Sequence, residues 1–447
     1  MMIKKLLTTA ITLMYAGFAF SAVSPEEAAK LGVELTEVGA IKAGNEDGAI
    51  PPFTGGLKEL PEGFQEGNGI RPNPFSDERP LFSIDASNMA EYQDKLTEGT
   101  KALMKKFSDF RIDVYPTHRT SAFPQYILDN TKDCAVTSET YNNGLSMKGC
   151  HAGIPFPIPK TGFEAMWNHL TRFQGRSAVL NFEAYYVNPN GSRVLTSGGT
   201  YSTDFPYYDE NPQSDLFSRV KSEYKMPRRR NGETIMVHDA LNPTEQGRRA
   251  YIYLPAQRRV KLAPSVNFDT PNPSLGGYAT YDDTFIFFGS MERFDFELVG
   301  RKEMFVPYNT YDAAYHVTAD ELLTANHLNP DHVRWELHRV WEVEATLRDD
   351  SRHLYSKRTF YIDEDSWVAV ASDQYDQNGE LYRPAFALMT PSYEVPASFS
   401  DNYVIYDLNA GVYAINFWTA THGGVRYVDP QAERAWSPSA LSGSGLR

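Results

Sequence analysis

The stretch Arg334-Trp335-Glu336-Leu337-His338-Arg339-Val340-Trp341-Glu342-Val343-Glu344-Ala345-Thr346-Leu347 decides the fold class of this 447-residue chain. It alternates with period two. Trp335, Leu337, Trp341, Val343 and Leu347 share one side with Arg339, while Arg334, Glu336, His338, Glu342 and Glu344 take the other. That is the pattern of a β-strand with one apolar face. The same signature recurs on either side of it. Ala178, Leu180, Phe182, Ala184 and Tyr186 lead to a turn at Asn188-Pro189-Asn190-Gly191, and Ala250, Ile252 and Leu254 lead to Pro255. Phe294, Phe296 and Leu298 alternate with Arg293, Asp295 and Glu297, and turns at Asp349-Asp350, Asp363-Glu364-Asp365 and Asn378-Gly379 cut the region after 334 into a meander.

Helical patterns are few and grouped. Ser24-Pro25-Glu26-Glu27 carries a capping box with proline at the first helical position. A helix is predicted from about Asn88 to Phe107, weakened by Gly99. A clearer one follows Thr161, with Glu164 as its box partner and Phe163, Met166, Trp167, Leu170 and Phe173 on one stripe before Gly175. Another starts at Thr318 with Glu321 and runs to near His327. Strands joined by hairpins, with helices in blocks, imply an α+β domain on one large curved antiparallel sheet. One face of such a sheet meets water and the other is covered. Helices over the concave face would enclose an apolar cavity.

Composition agrees. Hydrophobic residues are 41% and charged residues 22%, as in a globular chain, while aromatics reach 13%, which favours pleated surfaces. The net charge of −14 excludes the basic surface that a nucleic-acid binder needs. No Gly-x-Ser-x-Gly, His-Glu-x-x-His, Walker A or Gly-x-Gly-x-x-Gly motif is present, which argues against the common hydrolases, NTPases and dehydrogenases.

Lys4 and Lys5 precede an apolar run from Leu6 to Phe20, and Ala19-Phe20-Ser21 offers a signal-peptidase site. The expectation is an exported, periplasmic protein cleaved near Ser21, peripheral to membranes at most. Cys134 and Cys150 flank a turn-rich stretch; in an oxidising compartment a structural disulfide is the default, ahead of a redox pair or metal ligands. The expected organisation is a signal peptide over 1–21, an N-terminal helix and extended arm over 22–86, and a single half-barrel domain over 87–447. The proline-rich stretch Gly39–Pro80 carries the spaced anchors Phe53, Leu57, Leu60, Phe64 and Phe75; a free linker is the alternative.

Candidate cavity residues are Phe163, Trp167, Phe182, Phe294, Phe296, Trp335 and Trp341, with Arg339 at the polar end. An arginine among tryptophans must pair with an inward carboxylate or reach a polar ligand group. His316, His327, His332, His338 and His353 cluster in sequence but at irregular spacing, so no metal site is assigned. Only His338 and His353 are expected to be able to face each other. The basic run Lys225, Arg228, Arg229 and Arg230 reads as a solvated loop or a contact for anionic lipid head groups. No catalytic residue and no cofactor is assigned; for an enzyme acting on an envelope lipid or glycan, Glu336, His338 and Asp365 are the polar candidates. A ligand-free adaptor of an envelope complex is the third reading.

Several long motifs carry a family resemblance. Val114-Tyr115-Pro116-Thr117-His118-Arg119, Gly153-Ile154-Pro155-Phe156-Pro157-Ile158-Pro159, Glu164-Ala165-Met166-Trp167-Asn168-His169 and Val306-Pro307-Tyr308-Asn309 are among them. Glu336-Leu337-His338-Arg339-Val340-Trp341, Arg352-His353-Leu354-Tyr355-Ser356-Lys357-Arg358 and Tyr361-Ile362-Asp363-Glu364-Asp365-Ser366-Trp367 complete the set. Together they resemble a Gram-negative domain-of-unknown-function family of about 450 residues, labelled outer-membrane lipoprotein-sorting-like for its similarity to the carriers LolA and LolB. The resemblance implies a half-barrel plugged by helices, an acyl-sized cavity, and a carrier of lipid or another hydrophobic molecule. It also implies work beside an RND-type exporter and an outer-membrane protein. This chain is roughly twice the size of those carriers.

Overall fold

A computed structural model describes residues 23–444, apart from 210, 211, 213, 265, 401 and 421. The expected signal peptide lies outside the described residues. Sixteen strands form one open, curved sheet in an α+β fold. From one edge it runs Phe82–Ile84, Ile112–Val114, Arg334–Leu347, Lys357–Asp363, Ala369–Tyr375, Leu381–Ala387, Tyr403–Asp407 and Val412–Trp418. It continues through Ser177–Val187, Arg193–Asp204, Leu216–Met226, Thr234–Ala240 and Arg249–Leu254 to the far edge at Arg259–Leu262. Phe294–Pro307 also pairs with Arg334–Leu347, and Val425–Tyr427 with Ser177–Val187. Every pairing is antiparallel except that of Ile112–Val114 with Arg334–Leu347. Two hairpin meanders are thus joined where Val412–Trp418 meets Ser177–Val187.

The strand that opened the sequence reading departs from it in one respect. Both of its faces are buried, from Arg334 to Val343. Its polar side does not meet water because Thr117–Ser121, Glu78 and Asn309 lie over it and supply the hydrogen bonds that its charges need.

Local chemistry accounts for the helices. The capping box at Ser24 and Glu27 forms as the spacing predicts, and so does that of Thr318 and Glu321. The latter helix is only Ala319–Leu322 and stops well short of His327. At Thr161 the hydroxyl accepts from Glu164 N, but the Glu164 carboxylate accepts from Lys160 N at 2.6 Å rather than closing the box; Gly162–Leu170 follows. The expected Asn88–Phe107 helix is two pieces, a 3₁₀ segment Met89–Lys95 and an α-helix Glu98–Lys106. Leu96 is extended, and Thr97 caps a fresh helix by accepting from Thr100 N. Gly99 is required there, since a Cβ would lie 2.3 Å from Pro384 and 2.4 Å from Asp373. Sequence reading missed the longest helix, Gln125–Thr137, because Pro124 offers no side-chain cap. That helix carries Cys134, which is disulfide-bonded to Cys150.

Residues from the proline-rich stretch bind the sheet. Trp367 Nε1 donates to Val38 O (3.0 Å), Arg301 to Gly39 O (2.7 Å) and Leu57 N to Thr120 O (2.9 Å). Leu57, Phe64, Ile70 and Phe75 pack on Tyr311, Ala314, Tyr315 and Tyr393, whereas Leu60 is exposed. Among the described residues no helix is long and apolar enough to cross a membrane.

Candidate functional site

Three neighbouring strands build an aromatic wall. Tyr201 lies opposite Ser222, Ser222 opposite Ile235, and Val220 opposite Val237, so their side chains share one face of the sheet. Tyr224, Asn416 and Phe417 extend that wall. Over it lies the segment from Val266 to Phe288, which contributes Tyr281, Phe285 and Phe288 and leaves a cavity of about 60 Å³. The ring centroids of Phe285 and Phe417 are 5.3 Å apart and those of Tyr201 and Phe417 4.4 Å apart, with planes tilted by 33° and 38°.

A second cavity of about 60 Å³ adjoins it, lined by Leu145, Trp167, Leu170, Phe217 and Met291. Arg248 lines both. Its guanidinium donates to both oxygens of Asp239 (2.7 and 3.1 Å) and to Phe288 O (2.9 Å), and stacks 4.4 Å from the Phe288 ring. The covering segment is held in an unusual backbone conformation. Phe285 (φ 54°) and Ile286 (φ 70°) are both left-handed, which for a β-branched residue is a costly state that the surroundings must enforce.

The sequence-named aromatics fall in separate places. Trp167 lines the second cavity, and Phe182 backs the first by packing on Phe417 (4.9 Å) and Tyr224 (6.1 Å). Phe163, Phe294 and Phe296 form a ring cluster with Phe287 and Phe360. Trp335 lines a separate space of about 20 Å³ with Phe110, Phe386 and Tyr406. Trp341 stacks on Trp367 and lies under Arg301 (3.9 Å), while Arg339 donates to Ala43 O (3.0 Å) and Glu364 (3.5 Å). Tyr201, Tyr224, Phe285, Phe288, Phe417 and Arg248 went unnamed in the sequence. Their one linear signal is the apolar run Phe285-Ile286-Phe287-Phe288, which has no alternation to assign it a face.

Elsewhere the sheet carries buried charge. Glu336 accepts from Arg334, from Asn309 (2.9 Å), from His118 N (2.8 Å) and from the His338 ring (3.0 Å). Burial pushes its carboxyl up, but the His338 bond and the Arg334 charge outweigh it and hold the group below its usual range. Arg119 grips both oxygens of Asp365 (2.7 and 2.8 Å). Burial, with Asp365 beside it, pushes Asp363 up to about 6. The same two causes push Glu364 up to about 7, against Arg301, Arg119 and Arg339. His353 belongs to a separate buried group with Asp282 (2.9 Å) and Arg358, so it does not face His338. In the basic run Arg228 and Arg229 are exposed, but Arg230 is buried over Tyr224 (3.7 Å) and paired with Glu233 (2.8 Å).

The family model described as "Protein of unknown function (DUF1329)" matches residues 83–442. An uncharacterized protein of Pseudomonas aeruginosa, PA3922, is 37% identical over 433 residues, covering 96% of this chain and 95% of that protein. Among solved structures, an outer membrane lipoprotein-sorting protein domain from Vibrio parahaemolyticus is 14% identical with a TM-score of 0.44, covering 63% of this chain and 98% of its own. A DUF1329 family protein from Desulfovibrio piger gives 13% and 0.41, over 60% and 92% of the two chains. The LolA superfamily protein NE2245 from Nitrosomonas europaea gives 11% and 0.37, over 62% and 98%.

Proposed function

The chain belongs to the DUF1329 family, and from that premise we propose that it is a periplasmic carrier of a hydrophobic molecule, held between the sheet and the Val266–Phe288 segment. One observation carries the reading: two aromatic cavities meet at Arg248 beneath a segment whose Phe285 and Ile286 are both in the left-handed region. An apolar chain would enter along Tyr201, Phe217 and Phe417, and an acidic or carbonyl head group would replace the Phe288 carbonyl on Arg248.

The described form is closed. Ligand pockets run to roughly 300 Å³ or more, so a cargo must displace Phe285 and Phe288. Re-exposing two phenylalanine side chains costs roughly 3–6 kcal/mol at about 1.5–3 each. At about 0.8 kcal/mol per buried methylene, roughly four to eight methylenes offset it. Short acids should fail and long acyl chains should bind. Loading and release then need a competitor for the covering segment, a role we give to the RND-type exporter and outer-membrane protein of the family resemblance.

The test is native mass spectrometry of protein purified from its own envelope, with lipid extraction, followed by uptake of fluorescent fatty acids of graded length. The expected result is a co-purifying lipid and uptake that rises steeply beyond about eight carbons. Phe417→Asp should abolish it, and Arg248→Gln should weaken acids more than neutral lipids. A clean apo mass with no uptake at any length refutes the carrier.

A further inference from the structure

The buried polar face of Arg334–Leu347 holds an arrangement of donors and acceptors that hydrogen bonding alone leaves incomplete. Glu336 accepts four times from cations and N–H groups, so it is an ionised acceptor. The His338 Nε2 that faces it at 3.0 Å therefore carries the proton. In the neutral ring that leaves Nδ1 as the lone pair. It points at Asp363 Oδ1, 3.8 Å away. Oδ1 is fully buried and takes no hydrogen bond, although its sibling Oδ2 accepts from Tyr308 Oη (3.2 Å), Ser366 N (2.9 Å) and Ser366 Oγ (2.5 Å). Asp365 supplies a third ligand atom, and all three lie within 4.8 Å of one another.

Two acceptors thus face each other in a dry site. A proton on Nδ1 does not bridge them, since 3.8 Å is beyond hydrogen-bond reach. A cation does. We propose that His338, Asp363 and Asp365 bind one divalent transition-metal cation of the Zn²⁺ class. An imidazole with two carboxylates suits such an ion, and metal–ligand lengths of about 2.0–2.2 Å require the three ligand atoms, which lie within 4.8 Å of one another, to draw in around it.

The surroundings have the form of a metal site's outer shell. A ligating histidine ordinarily gives its other N–H to a carboxylate, which here is Glu336. Tyr308 stacks on the His338 ring at 3.6 Å and fixes its plane. Asn309, which donates to Glu336, sits at φ 53°. Arg119 balances Asp365 and Arg334 balances Glu336, whereas among the described residues no guanidinium pairs with Asp363. Because all three ligands are buried, a bound ion would tie the Asp363–Trp367 turn to the strand beside it. The irregular histidine spacing hid this, since two of the three ligands come from a turn about 25 residues beyond the histidine and only antiparallel pairing brings them level with it.

The experiment uses the whole mature chain, stripped with chelator and reloaded with Zn²⁺ or Co²⁺ alone. The expected results are one equivalent of metal per chain by elemental analysis, a melting temperature raised by Zn²⁺, and an anomalous-diffraction peak between His338, Asp363 and Asp365. Asp363→Asn should abolish retention, and Glu336→Gln should weaken it by about 10- to 100-fold. Should Asp363→Asn fail to fold, the wild-type diffraction peak decides alone. A wild-type chain that retains no metal and shows no peak, or a folded Asp363→Asn that binds as tightly as wild type, overturns the proposal. Fatty-acid uptake is measured on the same samples, so failure here is separable from failure of the carrier reading.

Discussion

Replacing Arg71 with methionine should detach the proline-rich stretch from the sheet. Arg71 is fully buried, yet it comes from a segment with almost no regular structure. Its guanidinium donates twice to Glu394, and also to Gly69 O (3.2 Å), Tyr315 Oη (3.1 Å) and Val425 O (3.2 Å), between the rings of Tyr315 and Tyr427 at 5.8 and 5.5 Å. Truncating one partner of a buried ion pair costs about 3–5 kcal/mol. The Glu394 side chain keeps 24% exposure, so water softens its loss and the pair term belongs at the lower end. Two cation–π contacts add roughly 1 kcal/mol. The expected loss for Arg71→Met is therefore about 4 kcal/mol, a large part of the roughly 5–15 kcal/mol that holds a domain folded. Arg71→Lys keeps the charge but not the fork, and should lose about half as much. Urea denaturation followed by tryptophan fluorescence gives the magnitude, and thermolysin digestion gives the place, with early cuts between residues 39 and 80. A double-mutant cycle with Glu394→Gln should return a coupling of about 2 kcal/mol. An Arg71→Met protein within about 1 kcal/mol of wild type, with unchanged digestion, would show that the stretch is held by its apolar anchors and that the ion pair is incidental.

Asp373 gives a pH dependence. Burial, helped by Glu98, pushes its carboxyl up to about 7 against the Gly99 N–H and the Tyr361 hydroxyl. Folding then favours the protonated form, so this contribution is complete below about pH 4 and is lost as pH rises through about 7. The urea midpoint of Asp373→Asn relative to wild type should climb across that window; a constant difference is the contrary result. Replacing Cys134 and Cys150 with serine opens a loop of sequence separation 16 and should cost about 3 kcal/mol in thermal or urea unfolding, with no change in the unreduced wild type on dialysis. Gly39→Ala places a Cβ 1.7 Å from Pro157 O at φ +92°, so it should lift that part of the stretch and cost about 1–3 kcal/mol. Loss of the Arg301 bond to Gly39 O would be visible as faster amide exchange around Val38–Ala43, and unchanged exchange would contradict the clash.

Period two in Arg334–Leu347, Ser177–Val187 and Arg249–Leu254 was enough to set a large antiparallel sheet, because side-chain alternation is a property of the strand itself. Capping chemistry at Ser24, Thr161 and Thr318 likewise depends on residues three apart, and each helix begins where it indicates. What local pattern does not contain is which elements lie on top of which. Arg334, Glu336 and His338 read as a wetted face, and only the placement of Thr117–Ser121 and Asn309, 220 and 27 residues away from the strand residues they contact, makes it a buried one. Arg339 was legible as a buried charge; that it meets Ala43 O and Glu364 follows from the path of the proline-rich stretch. The cavity was the least legible of all. Tyr201, Ser222 and Ile235 come level through strand register, and Phe285 reaches them through a left-handed backbone that neighbours impose on a sequence with no glycine there. The sequence by itself determined the alternation of the long strands, three helix starts and the pairing of two cysteines. Tertiary structure alone decided which charges are dry and where the aromatic space lies, because burial is a relation between segments and no single segment encodes it.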